Sequence, residues 1–262
     1  MNTITSLLEK INNAKQLDFG SIFSEAIELY KKTWVQGFLL QIFTMVVMLP
    51  LIIVLYVPLI GLMVAQQESG YNDQEALSTF LGGMSVLYIL FVVIGIFVLG
   101  TISLTLQASF FRIIKRMDYN EVVNTTDFFH FVKGKYLSKA FVLMLVSIGI
   151  VIPSALLCYL PLIYTMVPVS YFMLVFAFNP EFGTGDVVKA SFKLGTKKWG
   201  GITIALFLVS YLCVFVISMI TCGLGSLFLQ AFLWHPAYLI YKKVVGFNET
   251  TDAIEEIGTA VE

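Results

Sequence analysis

Charge is what this chain lacks. Asp, Glu, Lys and Arg make up 13% of its 262 residues, and they are absent from four windows, 33 to 67, 76 to 111, 140 to 180 and 199 to 241. A soluble domain carries about 25% charged residues spread along its length, so windows this long and apolar exclude a water-soluble fold. Histidine is scarce too, with two copies, His130 and His235. A metal centre normally takes three or four His, Cys, Asp or Glu ligands, and the charge-free windows offer no carboxylate to complete one. The same absence removes the buried ionisable group on which proton relays and ion-coupled carriers generally depend. Three cysteines are too few for a disulfide framework. A net charge of −1 gives nucleic acid no reason to bind. The opening MNTITSLLEKINNAKQLDFG has no short apolar core ending at a small-residue cleavage site, so it does not read as a signal peptide.

Apolar length is what the chain has instead. A bilayer core takes about 20 apolar residues per helix, so the third and fourth windows each hold two spans. Six membrane helices are predicted: one from Val35, one from Met84 to Phe111, then 140 to 158, 161 to 178, 200 to 221 and 225 to 241. With this count all sixteen basic residues fall on one side, and only Glu68, Asp73 and Glu75 fall on the other. The positive-inside rule then makes that basic side, with both termini, cytoplasmic.

Two internal matches organise the spans. IFSEAIELYKKTW at 22 to 34 aligns without gaps to VVKASFKLGTKKW at 187 to 199, and PLIIVLYVPLIGLMV at 50 to 64 aligns to PSALLCYLPLIYTMV at 153 to 167, with two prolines and a tyrosine in register. Self-similarity of this kind marks a repeated unit. The expected fold class is all-α integral membrane protein, with six transmembrane helices as three pseudo-repeats, each an amphipathic surface helix followed by a transmembrane hairpin. The expected organisation is a polar leader at 1 to 18, a single membrane domain at 19 to 243 and an acidic cytoplasmic tail at 244 to 262. Its repeats run 19 to 116, 117 to 180 and 181 to 243.

The clearest surface helix is predicted within 182 to 201. Val187, Val188, Phe192, Leu194 and Trp199 share one arc, while Lys189, Lys193 and Lys197 recur every four residues opposite it. A helix so built lies on a bilayer with its lysines toward anionic headgroups. Trp34, Lys189, Lys193, Lys197 and Trp199 are therefore the expected membrane-surface contacts. A first surface helix is expected from Ser21, as its cap, to Trp34. A second follows a Thr126 or Asp127 cap, with Phe128, Phe129, Val132 and Tyr136 on one face and Gly134 weakening it. Within the spans, Gln41, Thr44, Thr101, Thr105, Gln107, Ser210, Ser218 and Gln230 are expected to bond between helices of different units. Cys158 and Cys222 fall at outer turns, where an oxidising compartment permits a bridge; Cys213 reads as apolar filling. GLGS at 223 to 226 lacks the flanking pattern of a serine hydrolase, so no catalytic residue, cofactor or metal ligand is assigned and no enzymatic activity is expected.

Surface segments with Lys-Lys and Trp ahead of a hairpin, and prolines midway, give the chain over about 19 to 243 a family likeness. It resembles a bacterial six-helix integral membrane family similar to the membrane domain of some glycerophosphodiester phosphodiesterases and to the YciC-like proteins. The resemblance implies the cytoplasmic (inner) membrane of a bacterium. It does not carry over catalysis, which in the phosphodiesterases belongs to an attached soluble domain. A carotene-cleaving oxygenase name borne by some relatives is excluded by count, because such enzymes hold iron with four histidines. The expected function is a non-catalytic multi-pass protein organising or handling lipids, or a membrane protein partner, at the inner face. The alternative is a transporter or flippase-like passage for neutral or apolar molecules.

Overall fold

The computed structural model describes residues 3–69, 86–157, 160–196 and 200–247. Every regular element among them is helical. They are α1 (Ile4–Asn13), α2 (Phe19–Ser69), α3 (Val86–Asp118), a 3₁₀ turn (Thr125–Phe129), α4 (Gly134–Leu156), α5 (Leu160–Phe178), α6 (Thr184–Thr196), α7 (Gly200–Ile220), α8 (Leu224–Leu229), a second 3₁₀ turn (Gln230–Leu233) and α9 (Trp234–Val244). Four helices are long and apolar enough to cross a membrane: α2, α3, α4 and α7. Apolar α5 has 19 residues, and the sixth expected span is divided between α8, the 3₁₀ turn and α9. The polar stretch at 65 to 83, which reads as an outer loop, begins inside α2, and its remainder from 70, like the tail from 248, lies outside the described residues.

The first surface helix and first span are one helix. Between Trp34 and Pro50 the only potential breaker is Gly37, and it serves a close approach: a Cβ there would stand 2.6 Å from the Ala231 Cβ of the second 3₁₀ turn. The cap is Asp18 rather than Ser21. The Ser21 N–H donates to the Asp18 carboxylate at 2.7 Å, and the Ser21 hydroxyl goes to Glu25. Pro50 and Pro58 sit inside α2 without ending it. Pro58 has no N–H for the Val54 carbonyl four residues back. The Tyr88 hydroxyl of α3 donates to that carbonyl at 3.0 Å, so the neighbouring helix satisfies the group the proline orphans.

The leader is more ordered than its length suggested. Thr3 caps α1, whose Leu7 and Ile11 are fully buried, with α1 packed against α6. The second surface helix is replaced by the short 3₁₀ turn and an extended link, and α4 begins at Gly134. The division of the sixth span has a local cause, since Pro236 in the first turn of α9 cannot donate to the Phe232 carbonyl and so interrupts an α-helix arriving from α8.

The core lies at one end of the molecule. Phe110, Phe111, Tyr171, Phe172, Phe176, Tyr238 and Tyr241, from α3, α5 and α9, are buried to within 1% of completely. Toward the opposite end the helices expose apolar side chains, among them Val57 at 60%, Phe91 at 61%, Leu156 at 80% and Met219 at 68%. That distribution suits hydrocarbon as the surrounding medium, where apolar exposure costs nothing.

Candidate functional site

At the inner end of α3 the first charges after the uncharged window 76 to 111 are Arg112, Lys115 and Arg116. Arg112 and Arg116 are one helical turn apart and share a face. The chain then turns back through the 3₁₀ turn, and a shallow, open cleft of about 20 Å³ forms there, lined by Arg112, Ile113, Arg116, Asp127 and His130. The Asp127 carboxylate holds the loop in place by accepting the Asn124 N–H at 2.8 Å and pairing with Arg116 at 3.0 Å. Glu121 stands 3.8 Å from the Arg116 Nε. The Phe131 N–H donates to the Ser109 hydroxyl at 3.4 Å, tying the loop to α3, and the Arg112 guanidinium lies 5.7 Å from the Phe131 ring centre.

His130 borders this cleft with its ring edge-on to Phe131 and stacked near Tyr136. Burial, then the positive charges of Arg112 and Lys133, push its pKa down to about 4, with Asp127 opposing them and Arg116 adding to them. At neutral pH the imidazole is therefore uncharged, with one N–H to donate. On the loop after α3, Val122 and Phe129 are 82% and 44% exposed, and Phe129 and Phe128 rest against Phe43 of α2.

A second polar cluster joins the last helix, α9, to α2 and α3. Asp118 accepts the Tyr238 hydroxyl at 2.7 Å and the Lys242 ammonium at 2.5 Å, and Lys243 pairs with Glu25 at 2.7 Å. Deeper in the same seam, His235 is fully buried, with Nε2 2.6 Å from the Thr33 hydroxyl and Nδ1 3.0 Å from the Ala231 carbonyl. Asn179 at the end of α5 donates to the Tyr241 hydroxyl at 2.8 Å.

The predicted surface contacts that fall among the described residues lie on two helices, α2 and α6. Lys189 is exposed on α6 and Lys193 half-buried, while Trp34 is 47% exposed in the run of α2; Lys197 and Trp199 lie outside the described residues. The buried face of α6 packs along α5 and α1 instead of lying free. Its residues include Val187 and Leu194, both named from the arc, together with Ala190, Ser191 and Gly195. A Cβ on Gly195 would stand 3.0 Å from the Pro168 backbone nitrogen, so glycine permits the close contact of α6 with α5.

Of the span hydroxyls, Thr44 donates to a carbonyl four residues back and Thr105 to one three back, each within its own helix. Thr101 also donates within its helix, to the Phe97 carbonyl, and in addition meets the Met144 sulfur of α4 at 4.0 Å, a contact between units as expected. Cys222 is a free, exposed thiol, and Cys158 lies outside the described residues. No group of three or more His, Cys, Asp or Glu placed to hold a metal occurs among the described residues. The Arg112 cleft and Asp118 were not singled out from the sequence, although the four-residue spacing of Arg112 and Arg116 directly after an uncharged span was the available signal. No family model, curated protein or solved structure matches the chain.

Proposed function

We propose that this chain is a non-catalytic, six-span membrane protein of a bacterial cytoplasmic membrane that organises anionic lipids at the inner face. The likeness to the phosphodiesterase membrane domain and YciC-like proteins belongs to the same proposal. The observation that carries it is the contrast between the two ends of the molecule. The end bearing the basic residues is closed by fully buried aromatic side chains of α3, α5 and α9, and the other presents apolar side chains outward. Such a body has a dry, filled centre on its basic side and a rim of cations around it, including exposed Lys189. Lysines near an anionic leaflet contribute about 1 kcal/mol each to lipid attraction.

The three-unit reading draws support from the packing. Each unit's returning helix meets the segment that opens another unit: α3 the first 3₁₀ turn and α4, α5 the helix α6, and α9 the start of α2. The last of these contacts closes the series on itself.

Gentle extraction from the native membrane, followed by native mass spectrometry, tests the function. Selective retention of anionic lipid is expected, reduced when Lys189 and Lys193 are both replaced by Gln. Retention that is unselective, or indifferent to both lysines, refutes the lipid reading, and a stoichiometric protein in its place makes the chain an accessory subunit. One observation favours the alternative, a passage for neutral or apolar molecules. Along α7, Tyr211, Leu212, Cys213, Phe215, Val216 and Ile217 are exposed on the faces away from the buried stripe of Thr203, Leu206, Ser210 and Val214, which leaves apolar surface uncovered in that half. Flux of an apolar solute through reconstituted protein would favour this reading over the first.

A further inference from the structure

We propose that the 3₁₀ turn between α3 and α4 is an interfacial anchor, with the Phe129 ring inserted among the acyl chains of the inner leaflet. The inference rests on the membrane placement of α2 and α3 in the proposed function and is independent of any selectivity for anionic lipid.

Depth is the first argument. Gly37 of α2 and Phe110 of α3 lie side by side, since a Cβ on Gly37 would stand 3.8 Å from the Phe110 ring. Phe110 belongs to the uncharged window 76 to 111, just outward of the first charge at Arg112. Phe43 is further out along α2, about 9 Å from Gly37 at the rise of an α-helix, and inside the uncharged window 33 to 67. The rings of Phe128 and Phe129 meet it at 5.2 and 5.3 Å. The turn also reaches α3 on the apolar side of Arg112, where the Phe131 N–H donates to the Ser109 hydroxyl at 3.4 Å. A segment that follows the charges of α3 in sequence thus climbs back past them and puts two aromatic rings where hydrocarbon begins.

Orientation is the second. Successive side chains of a 3₁₀ turn point about 120° apart, so one phenylalanine faces the protein while the next turns aside. Phe128 is 1% exposed and seats the turn on α2, whereas Phe129 is 44% exposed. The turn is not free to swivel and hide that ring. Asp127 holds it at one end by accepting the Asn124 N–H and pairing with Arg116, and the Phe131–Ser109 bond holds it at the other.

What covers Phe129 follows from its surroundings. The face of α2 that carries Phe43 continues outward through Val46, one turn on and 60% exposed. Phe129 therefore extends a strip of apolar surface that acyl chains cover in a membrane. Asn124, Thr125 and Thr126, exposed at the start of the turn, give it a polar side. Apolar side chains beneath a polar edge are the arrangement by which short segments hold to a bilayer interface.

The test uses the full chain in liposomes, with Cys158, Cys213 and Cys222 replaced by Ser and a single spin label on Phe129→Cys, Val46→Cys or Glu28→Cys. Val46 is the lipid reference, and Glu28, exposed on α2 inward of Trp34, is the water reference. Collisions with molecular oxygen, which concentrates in hydrocarbon, and with a water-soluble nickel chelate report depth. The ratio of oxygen to nickel collisions at Phe129→Cys is expected to be several-fold above that at Glu28→Cys and to approach that at Val46→Cys. A ratio no higher than at Glu28→Cys overturns the anchor and leaves the membrane fold standing, whereas a Val46→Cys label open to nickel overturns the membrane placement itself. Protection of Phe129→Cys from both reagents overturns lipid as its neighbour and puts protein there. Phe129→Trp, which keeps an aromatic ring, decides the question if the labelled chain fails to fold. The emission it adds should be quenched by lipids brominated on their acyl chains and not by aqueous iodide; the reverse overturns the anchor.

Discussion

His235 is fixed in one tautomer by its neighbours. A carbonyl only accepts, so the 3.0 Å contact with Ala231 puts the proton on Nδ1 and leaves Nε2 as an acceptor. The Thr33 hydroxyl, 2.6 Å away, must then donate to Nε2 and gives up its alternative partner, the Leu29 carbonyl. Thr33→Val keeps the shape and removes that donor. It should cost roughly 1 to 3 kcal/mol, read as a lower unfolding midpoint in detergent, and an unchanged midpoint would remove this bond from the list of what closes the molecule. His130 gives a second prediction, in pH. Its pKa is about 4 in the folded protein against about 6.5 in an unfolded chain. The unfolded chain therefore binds more protons between those values, and stability falls as pH is lowered from 6.5 toward 4. His130→Gln should flatten that part of the profile; thermal midpoints measured at steps from pH 7 to 4 that stay parallel in the two proteins would contradict it.

The helices divide according to whether their neighbours or their own sequence define them. Gly195 and Gly149 are both helical, yet a Cβ at Gly195 meets the Pro168 backbone while one at Gly149 meets nothing within 4 Å. Gly195→Ala should separate α6 from α5 and cost about 1 to 3 kcal/mol, whereas Gly149→Ala should leave the unfolding midpoint unchanged or raise it, as helix propensity directs. Equal effects would mean that α6 is loosely held. The boundaries that charge decides were legible in the sequence: α5, predicted over 161 to 178, spans Leu160–Phe178, and α7, predicted over 200 to 221, spans Gly200–Ile220. The join at Trp34 was not. There the pattern changes from amphipathic to uniformly apolar, which reads as two elements, while the backbone has no reason to break. Nor could the sequence disclose that α1 finds a partner in α6, or that α6 uses its apolar face on protein, because Leu7, Ile11 and Val187 look the same whether they meet lipid or another helix. The Arg112 cleft was hidden for a related reason, since it needs Asp127 and His130 to fold back over α3 from a segment expected to be a surface helix.

At the scale of the whole molecule the number of crossings decides which surfaces share a compartment, and α5 is where the counts of four and six part. If α5 crosses, Lys189 on α6 lies on the same side as Lys135 at the start of α4, and Cys222, beyond α7, lies on the opposite side. If only the four long helices cross, α5 returns without crossing, so Lys189 lies opposite Lys135 and Cys222 joins Lys135. Packing favours the first arrangement. Asn179 at the end of α5 bonds Tyr241, and the same helix α9 bonds Asp118 at the basic end of α3 through Tyr238 and Lys242. These contacts gather the ends of α3, α5 and α9 at one level, as a full crossing by α5 requires. Single thiols distinguish the two counts. With Cys213 and Cys158 replaced by Ser, native Cys222 should react with an impermeant maleimide from one side of the membrane, and Lys135→Cys and Lys189→Cys, each made with Cys222→Ser, should react only from the other. Labelling of Lys189→Cys and Lys135→Cys from opposite sides would reduce the spans to four and place Lys189 away from the leaflet that Arg112 faces. Lys189 and Lys193 would then meet the opposite membrane surface from Lys135, and no single leaflet could be held by both groups of cations.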